Sequence, residues 1–505
     1  MTGFLIGLLV GQGLFARTFG GAGYDESRSI AQARDGGYAM AGHTASFGAG
    51  AYDCLVLKLS SDGSLTWART FGGPSHDGAE SIVRTTDGGY AVAGKTWSFG
   101  AGLFDFLVFR LDQSGNLSWA KTFGGTDEDR AYSIVQTSDG GYAVTGFAYS
   151  FGAGECDFLV LRLDSAGTLK WARTFGGPND DKPWSIIQTQ DGGYAVVGFT
   201  YSFGAGWDFL VIRLDPLGNL TWARTFGGTD YDEACSITQT QDGGFAIAGR
   251  TYGFGAGDND ILVIKIDPSG NLIWARTFGG TGYDGGVCSI TQTQDGGFAV
   301  AGYTNSFGAG GYDCLVLKLS SDGSLVWART FGGPYSESAG SAIQTSDTGY
   351  AMVGETWSLG AGNDDLFVLR LDQNGNYPGC AEECSPTVTT PSVTTTSPSV
   401  QVGTPSPVSS NSNLSVSTPG LTITDACPPS LVMEDGGGPR SGLICSPIPD
   451  AMLFVCSEDM PLRIYSADGR LILSKNLTKG ENRINLEQGV YLWIAESYKG
   501  KALVR

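Results

Sequence analysis

Histidine is almost absent from this sequence: its 505 residues include two, His43 and His76. The sequence therefore has too few histidines for most histidine-based metallohydrolase sites and catalytic triads. Basic residues are also scarce, with 31 Lys and Arg against 51 Asp and Glu and a formal net charge of -20. An acidic chain repels polyanions, so we expect no nucleic-acid partner. No CxxC pair occurs among the ten cysteines, which argues against a zinc site.

The periodicity of an amphipathic helix is missing as well. Short runs rich in Val, Ile, Leu, Tyr, Phe and Thr are instead separated by turn residues. Glycine accounts for 78 residues, while aromatic residues make up 11% and apolar residues 41% of the chain. This composition argues against disorder and predicts many tight turns between buried strands.

A phrase close to WARTFGG recurs along most of the chain. Its first aromatic residue recurs at spacings of 51 to 53 residues, at Phe15, Trp67, Trp119, Trp171, Trp222, Trp274 and Trp327. Each repeat predicts four strands: a (SIxQT), b (YAVAGxT), c (DxLVLKL) and d (LxWARTF). Strand c is nearly continuous in apolar residues, which implies burial on both faces. Four-stranded sheets stacked around an axis satisfy that requirement, so we predict an all-β, seven-bladed β-propeller over residues 14–378.

The two ends of the repeat region complement each other. The chain enters the repeats at a strand d and leaves them after a strand c, because LDQNGNYPGC is followed by no WARTFGG. A propeller must join its first and last blades to avoid an open edge. We therefore predict that Phe15 to Phe19 pairs with Leu366 to Leu371 and closes the seventh blade.

The repeats resemble the Gly-rich bacterial β-propeller repeats of large secreted proteins. Phrases such as DCLVLKLSSDGSLTWARTFGG and GGYAVAGKT carry this resemblance over about 365 residues. The family has no common catalytic activity. The resemblance therefore implies an exported, non-catalytic scaffold or binding surface.

Residues 379–430 are dense in Ser, Thr and Pro and contain no Lys or Arg. This composition predicts an extended, stalk-like linker and a candidate for glycosylation on hydroxyls; the alternating Val and Thr leave strands as the alternative.

Residues 431–505 contain short alternating segments that predict a small antiparallel β-sandwich. This module resembles the type A sorting domain of the bacterial type IX secretion system. The matching positions are Tyr465, Asp468, Gly469, Gly489, Tyr491, Lys501 and Arg505.

The sorting-domain resemblance implies recognition by secretion machinery at the outer membrane and a secreted or cell-surface location. Residues 1–13 resemble the core of a signal peptide that lacks a basic start. The apolar segment within them is too short to span a bilayer, and we expect no transmembrane span in the mature chain. We expect the mature protein to be a monomer.

Two acidic positions recur in every repeat, one before strand a and one at the start of strand c. The first set comprises Asp25, Asp77, Asp129, Asp181, Asp232, Asp284 and Glu337. The second set comprises Asp53, Asp105, Asp157, Asp208, Asp260, Asp313 and Asp365. In a four-stranded blade the d–a and b–c connections share one face, so both sets should lie on the same rim.

Two interpretations of these acids remain open. In the structural one, they accept hydrogen bonds from loop backbone N–H groups or pair with basic residues such as Arg69 or Lys58. In the functional one, they form a cation-binding rim, with calcium as the candidate cofactor because carboxylates are hard oxygen ligands. The first metal candidates are Asp127, Asp129, Asp258 and Asp260.

Ligand contacts should fall where the repeats differ, and many differences are aromatic. The candidate ligand-binding residues are Tyr24, Tyr52, His76, Phe104, Trp207, Tyr231, Tyr283, Tyr312 and Tyr335. Aromatic rings beside carboxylates could bind an extracellular glycan or protein, or the rings could simply pack loop against loop. The alternative function is a secreted polysaccharide hydrolase or lyase that uses carboxylates of this face, although no catalytic residue stands out from the repeats.

Overall fold

A computed structural model describes residues 13–360 and 363–377, apart from the side chains of residues 287 and 288, and the backbone of further strands between Glu382 and Val504. The described part of the chain is all-β and contains no helix, so none of it is a helix able to cross a membrane. Seven sheets share the same four-stranded plan and form a seven-bladed β-propeller, as the repeats predict.

The strands of the ring are numbered along the chain from β1, which spans Phe15–Gly20. Blades 1 to 3 contain β2 (Asp25–Gln32), β3 (Tyr38–Thr44), β4 (Asp53–Leu59), β5 (Leu65–Gly72), β6 (Asp77–Arg84), β7 (Tyr90–Thr96), β8 (Asp105–Leu111), β9 (Leu117–Gly124), β10 (Asp129–Gln136), β11 (Tyr142–Ala148), β12 (Asp157–Leu163) and β13 (Leu169–Gly176). Blades 4 and 5 contain β14 (Asp181–Gln188), β15 (Tyr194–Thr200), β16 (Asp208–Leu214), β17 (Leu220–Gly227), β18 (Asp232–Gln239), β19 (Phe245–Thr251), β20 (Asp260–Ile266) and β21 (Leu272–Gly279). Blades 6 and 7 contain β22 (Asp284–Gln292), β23 (Phe298–Thr304), β24 (Asp313–Leu319), β25 (Leu325–Phe331), β26 (Glu337–Gln344), β27 (Tyr350–Thr356) and β28 (Asp365–Leu371).

The N-terminal strand closes the ring. Strand β1 pairs antiparallel with β28, with Phe15 opposite Arg370 and Phe19 opposite Leu366. Blade 7 is therefore completed by the strand that the start of the repeat region supplies, which confirms the predicted closure.

The core lies between neighbouring blades. Every strand c is buried along its whole length, as in β8. Phe71 of blade 1, for example, packs in one apolar cluster with Val92 and Phe109 of blade 2. Because each sheet is covered on both faces by its neighbours, strand c can be apolar throughout. One basic residue interrupts each such strand, and it has a structural role: Lys58 pairs with Asp35 of the a–b turn at 2.9 Å.

The Ser/Thr/Pro-rich segment contributes strands in place of the predicted stalk. Seven short strands follow one another: β29 (Glu382–Glu383), β30 (Thr387–Thr389), β31 (Thr394–Thr396), β32 (Gln401–Gly403), β33 (Val408–Asn411), β34 (Ser415–Ser417) and β35 (Thr422–Asp425). Each is a fifth strand on the outer edge of one blade. The alternative interpretation of the Val and Thr alternation is therefore the one found.

The last unit of the chain contains seven strands: β36 (Leu443–Ile448), β37 (Ala451–Cys456), β38 (Met460–Ser466), β39 (Leu471–Leu477), β40 (Gly480–Asn485), β41 (Gly489–Ala495) and β42 (Tyr498–Val504). They form two antiparallel sheets, ordered β36-β37-β40 and β39-β38-β41-β42. This arrangement agrees with the predicted small sandwich. Residues 468, 469 and 505 of the sorting-domain match and residues 1–12 of the predicted signal segment 1–13 lie outside the described residues.

Candidate binding face

The d–a and b–c loops meet on one side of the ring, which we call the loop face. The backbone N–H of Asp77, at the end of a d–a loop, donates to the carbonyl of Tyr52, in a b–c loop, at 2.8 Å. The N–H of Trp97 donates to the carbonyl of His76 at 2.9 Å. These bonds join each d–a loop to the b–c loops on both sides, as the connectivity of the repeat predicts.

The two recurrent sets of acids are built into these loops. Asp25 accepts from the backbone N–H of Gly21 at 2.8 Å and from the hydroxyl of Ser46 at 2.6 Å. Asp53 accepts from the N–H groups of Ala49 and Gly50 at 2.8 and 3.0 Å. All fourteen acids are at most 3% exposed. The geometry therefore favours the structural interpretation through backbone N–H groups. The suggested pairs with Arg69 and Lys58 do not form, because Lys58 reaches Asp35 and Arg69 lies over the ring of Trp67.

Burial changes the acidity of several of these groups. Desolvation raises the pKa of Asp129, Asp157 and Asp232 to about 6, although hydrogen bonds from the loops oppose it. The acids of the a–b turns behave in the opposite way. Hydrogen bonds from Thr293 and Lys318 outweigh desolvation and lower the pKa of Asp295 to about 2. Asp129, Asp157 and Asp232 therefore titrate at higher pH than Asp295.

The candidate calcium ligands do not come together. Asp127 and Asp258 are exposed, whereas Asp129 and Asp260 are buried and accept from loop N–H groups. Among the residues that the structure describes, no three His, Cys, Asp or Glu side chains form a group that could hold a metal ion. The geometry thus gives the calcium expectation no support.

Most of the predicted aromatic residues pack against one another. Tyr52 stacks on His76 at 5.3 Å between ring centroids, and Trp207 contacts Tyr231 at 4.4 Å. The ring of Phe104 lies under the Arg130 guanidinium at 4.4 Å. Tyr283 and Tyr312 likewise meet edge to face, and only Tyr24 and Tyr335 of the nine candidates are exposed. Most of this set therefore takes part in loop-against-loop packing.

A second set of aromatic residues is more exposed, and the sequence analysis missed it. The residue directly after strand b is aromatic in five blades, and these rings are 38% to 54% exposed. We call them the aromatic crown: Trp97, Tyr149, Tyr201, Tyr252 and Trp357. Blades 1 and 6 have Ala45 and Asn305 at this position. The signal is visible in phrases such as TWSFGAG and TYSFGAG, where the aromatic residue directly precedes the SFGAG phrase that five of the seven blades share.

The ring encloses a central cavity of about 450 Å³. A bulge in strand a shapes its wall: the register with strand b shifts by one residue, between Ser27 and Ser29 in blade 1. A bulge leaves one residue unpaired and re-aims its side chain. The residues at the bulge position that line the cavity are Arg28, Glu80, Tyr132, Trp184, Cys235 and Gly340. The six bulge residues all differ from one another, so the cavity wall departs from the repeat.

One part of the wall is charged. Arg28 pairs with Glu26 and Lys95 pairs with Glu80, both at 2.7 Å. His43 contacts Glu26, and burial lowers the pKa of its imidazole to about 3.

Two carboxyl groups near this part of the wall have raised pKa values. Burial, together with a hydrogen bond to Glu26, raises the pKa of Glu355 to about 7. Burial and the charges of Glu355 and Glu26 raise the pKa of Asp364 to about 8. Neither residue has an acidic equivalent in most other blades, so this cluster departs from the repeat.

Another part of the wall is aromatic. Tyr132 contacts Trp184 at 4.3 Å and Phe147 at 5.7 Å. Phe147 in turn contacts Tyr149 of the crown at 5.6 Å, and Lys182 lies over both rings. A chain of aromatic contacts through the buried Phe147 thus connects the cavity wall with the loop face.

Comparisons with known proteins identify no family for the chain. No family model matches it. The regulatory protein FlaEY of Caulobacter vibrioides is 27% identical over 265 residues, which is 49% of this chain and 26% of FlaEY. The chain thus spans about a quarter of the length of that relative.

Two solved structures show distant similarity. PorZ, described as an essential bacterial surface component of the type IX secretion system of Porphyromonas gingivalis, aligns with 13% identity and a TM-score of 0.38, over 96% of this chain and 59% of PorZ. The polysaccharide lyase Uly1 aligns with 11% identity and a TM-score of 0.39, over 69% of this chain and 90% of the lyase. At this distance neither similarity bears on the function of the chain.

Proposed function

We propose that the protein is an exported, non-catalytic propeller that binds extracellular glycan through the aromatic crown on its loop face. The observation that supports this proposal is the crown itself, five half-exposed rings at one structural position around the ring. Tyr and Trp rings are enriched at binding interfaces, so their recurrence at equivalent exposed positions supports the proposal.

The chemistry of the face suits a sugar chain. The C–H face of a pyranose ring can lie on the flat face of Trp or Tyr, while its hydroxyl groups need hydrogen-bond partners nearby. Exposed Asp127 lies on the same face, and Asp180 lies beside Lys182 at 3.6 Å. Five rings spread over several blades would contact a chain of sugars rather than a single one, and repeated weak contacts would add through avidity.

The test compares the full chain with crown variants on an array of polysaccharides. Replacing Trp97, Tyr201 and Trp357 together with Ala should weaken binding at least tenfold, because these are the three most exposed crown rings. Leu217→Ala is the matched control, since this apolar side chain is exposed in a c–d turn on the opposite face. Unchanged glycan binding by the triple variant would contradict the proposal, as would selective binding of proteins with no glycan bound.

A second candidate function is a polysaccharide hydrolase or lyase, and the charged part of the cavity wall favours it. Catalytic acids and bases need carboxyl groups whose pKa values differ. Glu355 and Asp364 have raised pKa values, whereas Glu26 is paired with Arg28. This cluster breaks the repeat symmetry, as a catalytic site on a repeat protein would.

Turnover distinguishes the two candidates. A hydrolase or lyase would lower the viscosity of a bound polysaccharide, and Glu355→Gln would abolish that loss. Asp62→Asn, in an exposed c–d turn of the other face, is the control. If the full chain binds a polysaccharide without reducing its viscosity over prolonged incubation, the catalytic candidate is wrong.

We also propose that residues 431–505 direct secretion through type IX machinery and that the propeller is released or held at the cell surface. Support comes from the two antiparallel sheets of this unit together with the sequence resemblance. Cell fractionation tests the location, and the intact mass of the native protein reports terminal cleavage. An uncleaved, cytoplasmic chain would contradict the proposal.

A further inference from the structure

The Ser/Thr/Pro-rich segment has a period of seven residues. Its strands β30 to β35 begin seven residues apart, at Thr387, Thr394, Gln401, Val408, Ser415 and Thr422. The same period is visible in the sequence: four prolines lie at one position of the repeat, at 391, 398, 405 and 419, and Val or Leu precedes a strand at 393, 400, 414 and 421. Proline lies outside each of these strands, where it removes no ladder hydrogen bond.

Successive strands of the segment pair with successive blades. Strand β29 pairs with β25 of blade 6, β30 with β21 of blade 5, and β31 with β17 of blade 4. Strands β32, β33 and β34 continue on blades 3, 2 and 1. Strand β35 joins β1 in blade 7. The segment therefore encircles the ring once, against the direction in which the blades follow one another.

The register is the same from blade to blade. In five blades the ladder lies on the Thr-Phe-Gly of WARTFGG, and the Phe of each lies opposite one heptad position, occupied by Val388, Thr395, Val402, Ser409 and Val416. The heptad is thus in phase with the 51- to 53-residue repeat of the propeller. A register this regular is expected only where each strand meets an equivalent edge.

The length of the heptad also fits. Seven residues of extended chain reach about 23 to 25 Å, enough to cross from one blade edge to the next while leaving three residues in each ladder. Thr and Val favour extended conformations, which suits the short strands of the segment.

From this match we infer that residues 382–425 are a belt: one heptad per blade, which covers the outer edges of all seven blades and locks the closure. An uncovered outer strand presents unpaired N–H and C=O groups to other chains. The edges are thus seven equivalent strand-acceptor sites, and their occupant is this segment of the same chain. In blade 7 the belt places β1 between β28 and β35, so the strand that closes the ring is held on both sides.

Each ladder of two to four residues is short, so a single heptad should bind its edge weakly. Because the seven strands belong to one chain, pairing of one strand holds the next close to its own blade edge. The seven weak pairings together therefore bind the segment to the ring more firmly than any single pairing does. The inference does not depend on glycan binding or on secretion.

Hydrogen exchange of the full chain tests the belt. The first variant carries Val388→Pro, Val402→Pro and Val416→Pro, within the strands on blades 5, 3 and 1. Its control carries Ser392→Pro, Ser399→Pro and Asn413→Pro, at one connector position of the heptad. Amides of β21, β13 and β5 should exchange at least tenfold faster in the first variant, while the outer strands of the other blades keep their protection. The control should match the unmodified chain.

A second variant replaces residues 386–425 with a Gly/Ser sequence of equal length, and circular dichroism checks that the blades remain folded. Faster exchange on all seven outer strands is expected. Rapid exchange of these strands already in the unmodified chain would overturn the belt. Protection that disappears on dilution, together with a dimer at high concentration, would also overturn it, because the strands would then come from a second copy.

Discussion

One turn of the propeller departs from its six equivalents, and its repair should stabilise the protein. The a–b turns contain Gly at a left-handed position in blades 1 to 6, for example Gly140 at φ 84°. Blade 7 has Thr348 there, at φ 71°, and it is the only non-glycine residue with positive φ in the described part of the chain. A β-branched residue in this region is strained.

The expected gain follows from two opposing contributions. A non-glycine residue in the left-handed region costs on the order of 1–3 kcal/mol. Glycine in its place makes the unfolded chain more flexible, which costs about 0.4–1 kcal/mol. The hydroxyl of Thr348 reaches Gln373 at 3.4 Å on the surface, so its loss matters little. We expect Thr348→Gly to raise the free energy of unfolding by about 1 kcal/mol.

Chemical denaturation is the better assay. A ring of this size has a large unfolding entropy, so about 1 kcal/mol shifts Tm by only about 1 °C. The reciprocal variant is Gly140→Thr, where an added Cβ meets nothing within 4 Å, so the change tests backbone conformation alone. It should destabilise by a similar amount. If Thr348→Gly leaves the denaturation midpoint unchanged while Gly140→Thr lowers it, the strain assigned to Thr348 is wrong.

Further predictions concern pH and ring closure. The folded state keeps a proton on Asp129 and Asp232 up to about pH 6, whereas the unfolded chain releases it near pH 4, so the free energy of unfolding should fall as pH rises through this range. Asp242 and Asp295 have pKa values of about 2, so the stability that they contribute above about pH 4 should be lost as pH falls toward 2. Denaturation midpoints should therefore be highest between about pH 4 and 5, and Asp129→Asn should reduce the decline on the alkaline side; a midpoint that rises steadily to pH 7 would contradict this. Deleting residues 14–21 should abolish the single cooperative transition of the ring, because β28 loses its partner; an unchanged two-state melt would refute the role of this strand.

The sequence was sufficient for the ring because its signals are local and repeated. Seven copies of a phrase close to WARTFGG, the turns between strands a and b, and the surplus strand at Phe15 together predicted the blade number and the closure. The same repetition placed the recurrent acids correctly on the loop face. It could not decide their role, because a carboxylate that binds a cation and one that accepts from its own loop occupy the same sequence position. Only the hydrogen bonds of Asp25 and Asp53 distinguish the two.

What the tertiary structure decided lies where residues distant in sequence meet. Tyr52 and His76 come from different loops, and their stacking leaves them only partly exposed, while Trp97 is exposed one loop further on. The cavity wall combines bulge residues from several blades, and no local pattern indicates that Arg28 and Trp184 line the same space. The seven-residue period of residues 386–425 is also visible in the sequence. A strand needs a partner edge, however, and only the closed ring shows that the blades provide it. The local sequence pattern determined which secondary structure each segment can form, and the geometry of the closed ring determined which other segments it contacts.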